Sequence, residues 1–428
     1  MTRHPISTGF PPGLPGLALA MIATVAIAGE PGGGKEPLAG AAGEAAPAPA
    51  WKTSVNGYVA GELQWFPTAP LDPRQEDFAP SLVLEPEFKF TYESARLGVT
   101  FTPFGRLDFA DDERTHADVR EFSLLARFDH SDLLVGIGKV FWGATEAVHW
   151  VDVINQTDLI ENTDGESKLG QPMVNYNMFG DYGRLSFFVL PGFRERTFPG
   201  PAGRLRIHPR VDGDQAVYES SSEEGHVDFA ARWSKTFGDI DVGLSYFRGT
   251  TREPIYLIGS DGGETVLLPY YEIINQAGLD ATWNIGDWLL KSEVMYRSGQ
   301  GDEDFVRAAG GFEYTFHSVA GTHADVGVIG EFLYDSTGNS EINPFEHDIA
   351  CGLRFAFNDL HDTTMLASAI IDVEDGSTVL SLEATRRLAG NWRIAAEARG
   401  FAGIPADDFP LNGYRMDSYV QLGLEYHF

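Results

Sequence analysis

The chain has 428 residues, with 31 Lys+Arg against 62 Asp+Glu and a formal net charge of −31, which excludes the basic footprint of a nucleic-acid binder. Glycine at 48 positions and an aromatic share of 12% favour strands and tight turns over helical packing. A single cysteine, Cys351, excludes an internal disulfide and a cysteine-based zinc cage. Beyond the N-terminus no apolar run is long enough for a transmembrane helix, which excludes a helical inner-membrane transporter but not a barrel, whose strands alternate.

At the N-terminus, Arg3 and His4 precede the apolar stretch Leu17–Ala28, and Ala26-Ile27-Ala28 stands before Gly29. This predicts an export signal over residues 1–28. Residues 29–50 are Ala/Gly/Pro-rich and read as a flexible leader too small to bury a core. Residues 51–428 are expected to form one domain.

From Trp51 onward the pattern has period two. In Ser54–Phe66, Val55, Val59, Leu63 and Trp65 share one face, while Asn56, Glu62 and Gln64 share the other. Trp288, Leu290, Val294 and Tyr296 alternate with Lys291, Glu293 and Arg297; Val326, Val328, Phe332 and Tyr334 alternate with Asp325 and Glu331. Residues i and i+2 line one face of a strand, so each segment is an amphipathic ribbon. Such ribbons recur about eighteen times, or sixteen if the shortest drop out. The aromatic residues near strand ends and the mixed charges on the polar faces predict an all-β fold, a transmembrane antiparallel β-barrel of 16–18 strands. Turns such as Phe237-Gly238-Asp239 and Ala389-Gly390-Asn391 suit one rim, and the long connections Phe193–Gly225, Thr250–Pro269 and Gly403–Asn412 the other.

The segment Ser418–Phe428 (SYVQLGLEYHF) ends on an aromatic residue, with Val420, Leu422, Leu424, Tyr426 and Phe428 in alternation. It resembles the terminal strand of Gram-negative outer-membrane β-barrels. The resemblance implies an outer-membrane location, with Tyr426 and Phe428 read by the barrel-assembly machinery, and it admits a homotrimer in contact with outer-membrane lipids and lipopolysaccharide.

Phe141–Pro172 is long for a structureless connection and too rich in Trp, Val and Ile for a freely solvated one. In porins, which such barrels resemble, a loop folded into the lumen narrows the channel. By that resemblance Glu146, His149, Asp152, Asn155, Gln156 and Asp158 are candidates for a constriction wall. Arg120, Arg127, Lys139, Arg297, Arg307, Arg354 and Arg387 are the lumen bases expected to face it. Opposed acids and bases would set a transverse field that favours polar solutes.

Little catalytic chemistry is readable: His361 and Asp362 are neighbours and would point to opposite faces of a strand. No resident cofactor is implied. Asp212-Gly213-Asp214 and Asp302-Glu303-Asp304 offer hard oxygen ligands but read better as solvated turns. Acidic stretches at Asp108, Asp111, Asp112 and Glu113, at Glu223 and Glu224, and at Asp407 and Asp408 are expected at the surface, where Ca²⁺ or Mg²⁺ could bridge them to lipopolysaccharide. The sequence therefore reads as a non-enzymatic, porin-like channel for small hydrophilic solutes. The alternatives are an exporter of a polymer, lipid or hydrophobic compound, and a barrel hydrolase.

Overall fold

A computed structural model describes residues 51–338 and 343–428; the expected signal and leader, residues 1–50, lie outside the described residues. The first strands are β1 (Trp51–Trp65), β2 (Phe78–Tyr92), β3 (Leu97–Asp108), β4 (His116–Arg127), β5 (Ser131–Gly138), β6 (Gln171–Gly180) and β7 (Gly183–Pro191). Then come β8 (Val217–Tyr218), β9 (Val227–Phe237), β10 (Ile240–Thr250), β11 (Ile255–Asp261), β12 (Glu264–Tyr271), β13 (Ile273–Ile285) and β14 (Trp288–Ser298). The last are β15 (Phe305–Phe316), β16 (Asp325–Asp335), β17 (His347–Ala356), β18 (Thr364–Asp372), β19 (Thr378–Ala389), β20 (Trp392–Ala402) and β21 (Tyr419–His427).

Eighteen of these form one antiparallel sheet of chain neighbours, while β8, β11 and β12 form a separate small sheet. The sheet closes where β1 pairs with β21, from Tyr58 opposite His427 to Trp65 opposite Val420. Closure pairs every strand on both sides, so backbone groups are satisfied without water, as lipid demands. A barrel of this strand number is wide enough to leave an aqueous lumen. The upper of the two expected strand counts is therefore the one formed.

The alternation fixes which side each residue faces. On β14, Lys291, Glu293, Met295 and Arg297 are buried, whereas Val294 and Tyr296 are exposed. Cys351 is exposed on the outer face with Ile349 and Leu353. Trp51, Phe237, Trp283, Trp288 and Trp392 are exposed at the end carrying the short turns, and Trp65, Phe78, Phe229 and Tyr246 at the other. An apolar outer band between two aromatic belts is the surface of a membrane-spanning barrel. Tyr426 and Phe428 lie on this outer surface, and the Phe428 amide donates to the Gly57 carbonyl at 3.0 Å.

β4 breaks the alternation once. Thr102 lies opposite Glu121 and Pro103 opposite Val119, so Arg120 is the extra residue of a β-bulge. The bulge turns Arg120 inward next to Asp118, 3.4 Å away. The long connections all lie at one rim, because strands alternate in direction from β1 onward. There they pack on one another: Ile207, Val211 and Leu267 form one cluster, and Phe66, Leu205 and Tyr419 another. One acidic stretch departs from expectation. Asp108 and Asp111 are buried, with Asp108 paired to Arg114 at 2.7 Å and Asp111 accepting from the Gly200 amide at 2.9 Å. Their charge ties loops together, so they offer no surface patch.

Candidate functional site

Residues 139–170 join β5 to β6 and run into the lumen. Trp142, Val148, Trp150, Val151, Val153 and Ile154 pack in one cluster with the inward side chains Phe188, Phe247, Ile274, Met295, Phe305 and Leu333. Each such side chain contributes about 1.5–3 kcal/mol on burial, which explains a loop this apolar. Part of the inner wall, from β6 to β16, is thus an apolar core against the loop, interrupted by buried charges such as Glu293, Arg307 and Glu331.

A buried loop must also satisfy its backbone. Two wall carboxylates do this. Glu293 on β14 accepts from the amides of Ala144 (2.6 Å), Thr145 (3.0 Å) and Val151 (3.3 Å) and from the Thr145 hydroxyl (2.9 Å). Glu331 on β16 accepts from the amides of Glu146 and Ala147 at 2.8 and 2.9 Å. Asn155 staples the loop's two ends, accepting from the Val140 amide at 2.8 Å and donating to the carbonyls of Gly138 (2.9 Å) and Leu169 (2.8 Å). At the exit only glycine fits, since a Cβ on Gly170 would lie 2.4 Å from the Arg120 carbonyl oxygen.

The loop has two lobes. Residues 144–151 reach β14–β17, where Glu146 pairs with Arg354 at 2.7 Å and Lys291 at 3.1 Å. Residues 158–166 cross toward β3 and β20. Asp158 pairs with Arg120 (3.0 Å), Glu161 with Arg106 (2.7 Å) and Asp164 with Arg399 (2.7 Å), and Asn162 donates to Glu397 (3.1 Å). Burial opposes ionisation of Glu161, yet Arg106 and His116 hold its pKa at about 2.

The lobes are clasped by His149, whose Nε2 lies 2.5 Å from Glu166 and whose Nδ1 lies 3.9 Å from Glu293. Burial works against the charged imidazole, but Glu166 and Glu293 push its pKa up to about 10, so it is a cation at neutral pH. Burial likewise opposes the Glu166 carboxylate, and His149 holds it below its usual range. Phe141 packs edge-on to the imidazole with ring centres 4.8 Å apart.

Between the loop and the uncovered wall runs a cavity of about 1180 Å³. Its wall side includes Arg354, Ser368, Ser381, Glu383, Thr385 and Arg399, and its loop side Glu146, His149, Asp164 and Glu166. It extends from the Asn284–Asp287 turn at one rim to Tyr256 and Tyr414 at the other.

The expected residues divide accordingly. Glu146 and His149 border the cavity, and Arg354 and Arg120 do meet loop acids. The remaining residues differ from expectation in partner or place, although Asp152, Asn155 and Arg297 also reach the cavity lining. Asn155, Gln156 and Asp158 are fully buried: Asn155 ties the loop's two ends together, Gln156 donates to the Arg194 carbonyl of the β7–β9 connection at 3.3 Å, and Asp158 pairs with Arg120 and accepts from the Thr197 hydroxyl. Asp152 pairs with Lys168 of the same loop at 3.3 Å and not with the wall. Arg297 and Arg307 face Glu253 of the β10–β11 connection, Arg307 at 2.9 Å, and Arg307 also meets Asp335 at 2.6 Å. Burial opposes ionisation of Glu253, but the two guanidiniums hold its carboxyl well below the usual range. Arg127 and Arg387 are exposed at the short-turn rim, Arg387 paired with Asp362, and Lys139 is exposed just past β5. A further correction concerns distance: loop acids and wall bases touch directly, so they latch the loop instead of facing each other across the gap. Sequence reasoning missed Glu293 and Glu331 as amide acceptors and Arg106 and Arg399 as anchors. The available signal was only that each lies at an inward position of its strand's alternation, among other charged inward residues such as Lys291, Arg297 and Glu397.

No family model matches the chain, and no curated protein matches it. Among solved structures, the chain is similar to mutants of the porin of Rhodopseudomonas blastica. One aligns at 13% identity with a TM-score of 0.46, covering 88% of this chain and 100% of that chain. Another aligns at 14% identity with a TM-score of 0.45 and the same coverage, and a third at 13% identity with a TM-score of 0.42.

Proposed function

We propose that this chain is a porin-like channel of the outer membrane, through which small hydrophilic solutes diffuse without a covalent step. The observation that carries the reading is the cavity left between the inserted loop and the β17–β21 wall, which extends from rim to rim and carries charged and hydroxyl side chains set among apolar ones such as Val148, Ile370 and Phe401. Selection there is by width and by the charges at its border. The surplus of carboxylates in the chain favours cations. In a planar bilayer the purified barrel should give stable steps in KCl, and a salt gradient should give a reversal potential of the sign for cation preference. The preference should shrink at high salt, where the screening length falls to about 3 Å at 1 M. Absence of conductance from folded, inserted protein would overturn the channel reading.

The His149 clasp gives a second test. Its pKa is raised above the ordinary 6.5 to about 10, so its stabilisation of the two-lobed loop is complete below 6.5 and is lost as pH rises through about 10. Single-channel conductance should therefore increase and become noisier across that upper range. His149→Gln should show the open, noisy state already at neutral pH and no further step. A variant that keeps the wild-type alkaline transition would place its cause elsewhere.

A further inference from the structure

We propose that Glu346, Asp348 and Asp372 form a binding site for a divalent metal ion of the Ca²⁺ class at the long-loop rim. One carboxylate oxygen from each residue lies within 4.8 Å of the others, the one such grouping among the described residues. Two features of Asp348 point to a ligand. It is only 2% exposed, and among the described residues its Oδ2 meets no hydrogen-bond donor. It also stands directly opposite Asp372 on the neighbouring strand, where two like charges repel.

The bases nearby in sequence are committed elsewhere: His347 pairs with Glu374 at 2.9 Å, and Arg307 with Asp335 at 2.6 Å. Asp372 uses Oδ1 to accept the amides of Glu374 (2.6 Å) and Asp375 (2.8 Å), an arrangement that leaves Oδ2 for the cluster. Asp375 and Asp408 bring two more negative charges close to Asp348. A buried carboxylate such as Asp348, flanked by the half-buried Glu346 and Asp372 and without a counter-charge among the described residues, is neutralised by a proton or by a metal. Several converging carboxylates make a hard, all-oxygen donor set, which suits Ca²⁺ over metals that prefer imidazole or thiolate. The ion would join three connections. Glu346 closes the one before β17, Asp372 opens the one after β18, and Ser377 of that connection donates to Asp408 of the β20–β21 connection at 3.2 Å. The site stands whether or not the barrel conducts.

The test uses the purified full-length barrel in detergent, stripped with EDTA and dialysed. Calorimetric titration with CaCl₂ should show saturable binding at this site, and Ca²⁺ should raise the temperature at which the folded gel band is lost. Asp348→Asn/Asp372→Asn should lower Ca²⁺ affinity about tenfold or more. The same double variant should match or exceed wild-type heat resistance in EDTA, since the like-charge pair is gone. If that variant fails to fold, Glu346→Gln, outside the strands, should weaken binding by a similar factor. Two results would overturn the site: no Ca²⁺ effect on the wild type, which leaves a shared proton as the neutralising partner, or unchanged affinity in the folded variants.

Discussion

Deleting Ala147–Ser167 should raise single-channel conductance several-fold, because the segment removed carries the second lobe and most of the first. The barrel should still close, since ladder hydrogen bonds and not loop contacts satisfy the strands in lipid. It should nonetheless lose heat resistance. The loop covers Phe247, Ile274, Met295 and Leu333, all of them fully buried on the inner wall, and the deletion hands these surfaces to water at about 1.5–3 kcal/mol per side chain. The expected phenotype is a wide pore with an earlier gel-band transition. Bilayer recordings of a folded deletion barrel with unchanged conductance would defeat the constriction role.

Glu293→Ala should release the first lobe while leaving the strands paired. Glu293 is the acceptor for three amides and a hydroxyl of the loop, and each buried donor left without a partner costs about 1–3 kcal/mol. Removing the acceptor also frees His149 of one of its two carboxylates. Limited proteolysis should then cut within residues 144–151, and conductance should fluctuate between levels. Glu293→Gln retains one acceptor oxygen and should fall between wild type and Glu293→Ala. Protease resistance equal to wild type in Glu293→Ala would show that the apolar cluster alone docks the loop.

Strand count and facing were legible because period-two alternation is a local signal. Val294 and Tyr296 against Glu293 and Arg297 need no partner strand to be read. Arg120 shows where the signal ends. It and Arg127 are an odd number of residues apart, and strict alternation would send them to opposite faces; the bulge removes that offset, leaving Arg120 buried beside Asp118 and Arg127 exposed at the rim. That bulge is a property of the β3–β4 pairing and leaves no trace in β4 alone. The inserted loop was legible from its Trp and Ile content, but its chemistry was not. Sequence reasoning treated Glu146, Asp152 and Asp158 alike as acids awaiting a base. In the fold one meets Arg354 on a wall strand, one meets Lys168 of its own loop, and one meets Arg120 on a bulge. Which partner each finds depends on the loop's two-lobed path, and that path is set by long-range contacts with β14, β16 and β20.

The division of the inner wall into a covered arc and an open one implies that damage sorts by position around the circumference. Substitutions of the apolar side chains packed under the loop on β6 to β16 strike a packed interior, so they should act first on yield, assembly and heat resistance, whereas Glu293 and Glu331, which hold the loop, should also govern conductance. Substitutions at Ser368, Ser381, Glu383 or Thr385, on the open arc, should spare all three and alter only what passes and how fast. A random library screened separately for abundance and for permeability would draw this boundary without any structural input. The same boundary means that bore is decoupled from strand number: an eighteen-strand cylinder, partly filled by one connection, transports with the cross-section of a much narrower one, and lengthening or trimming that connection would change the bore without adding a strand.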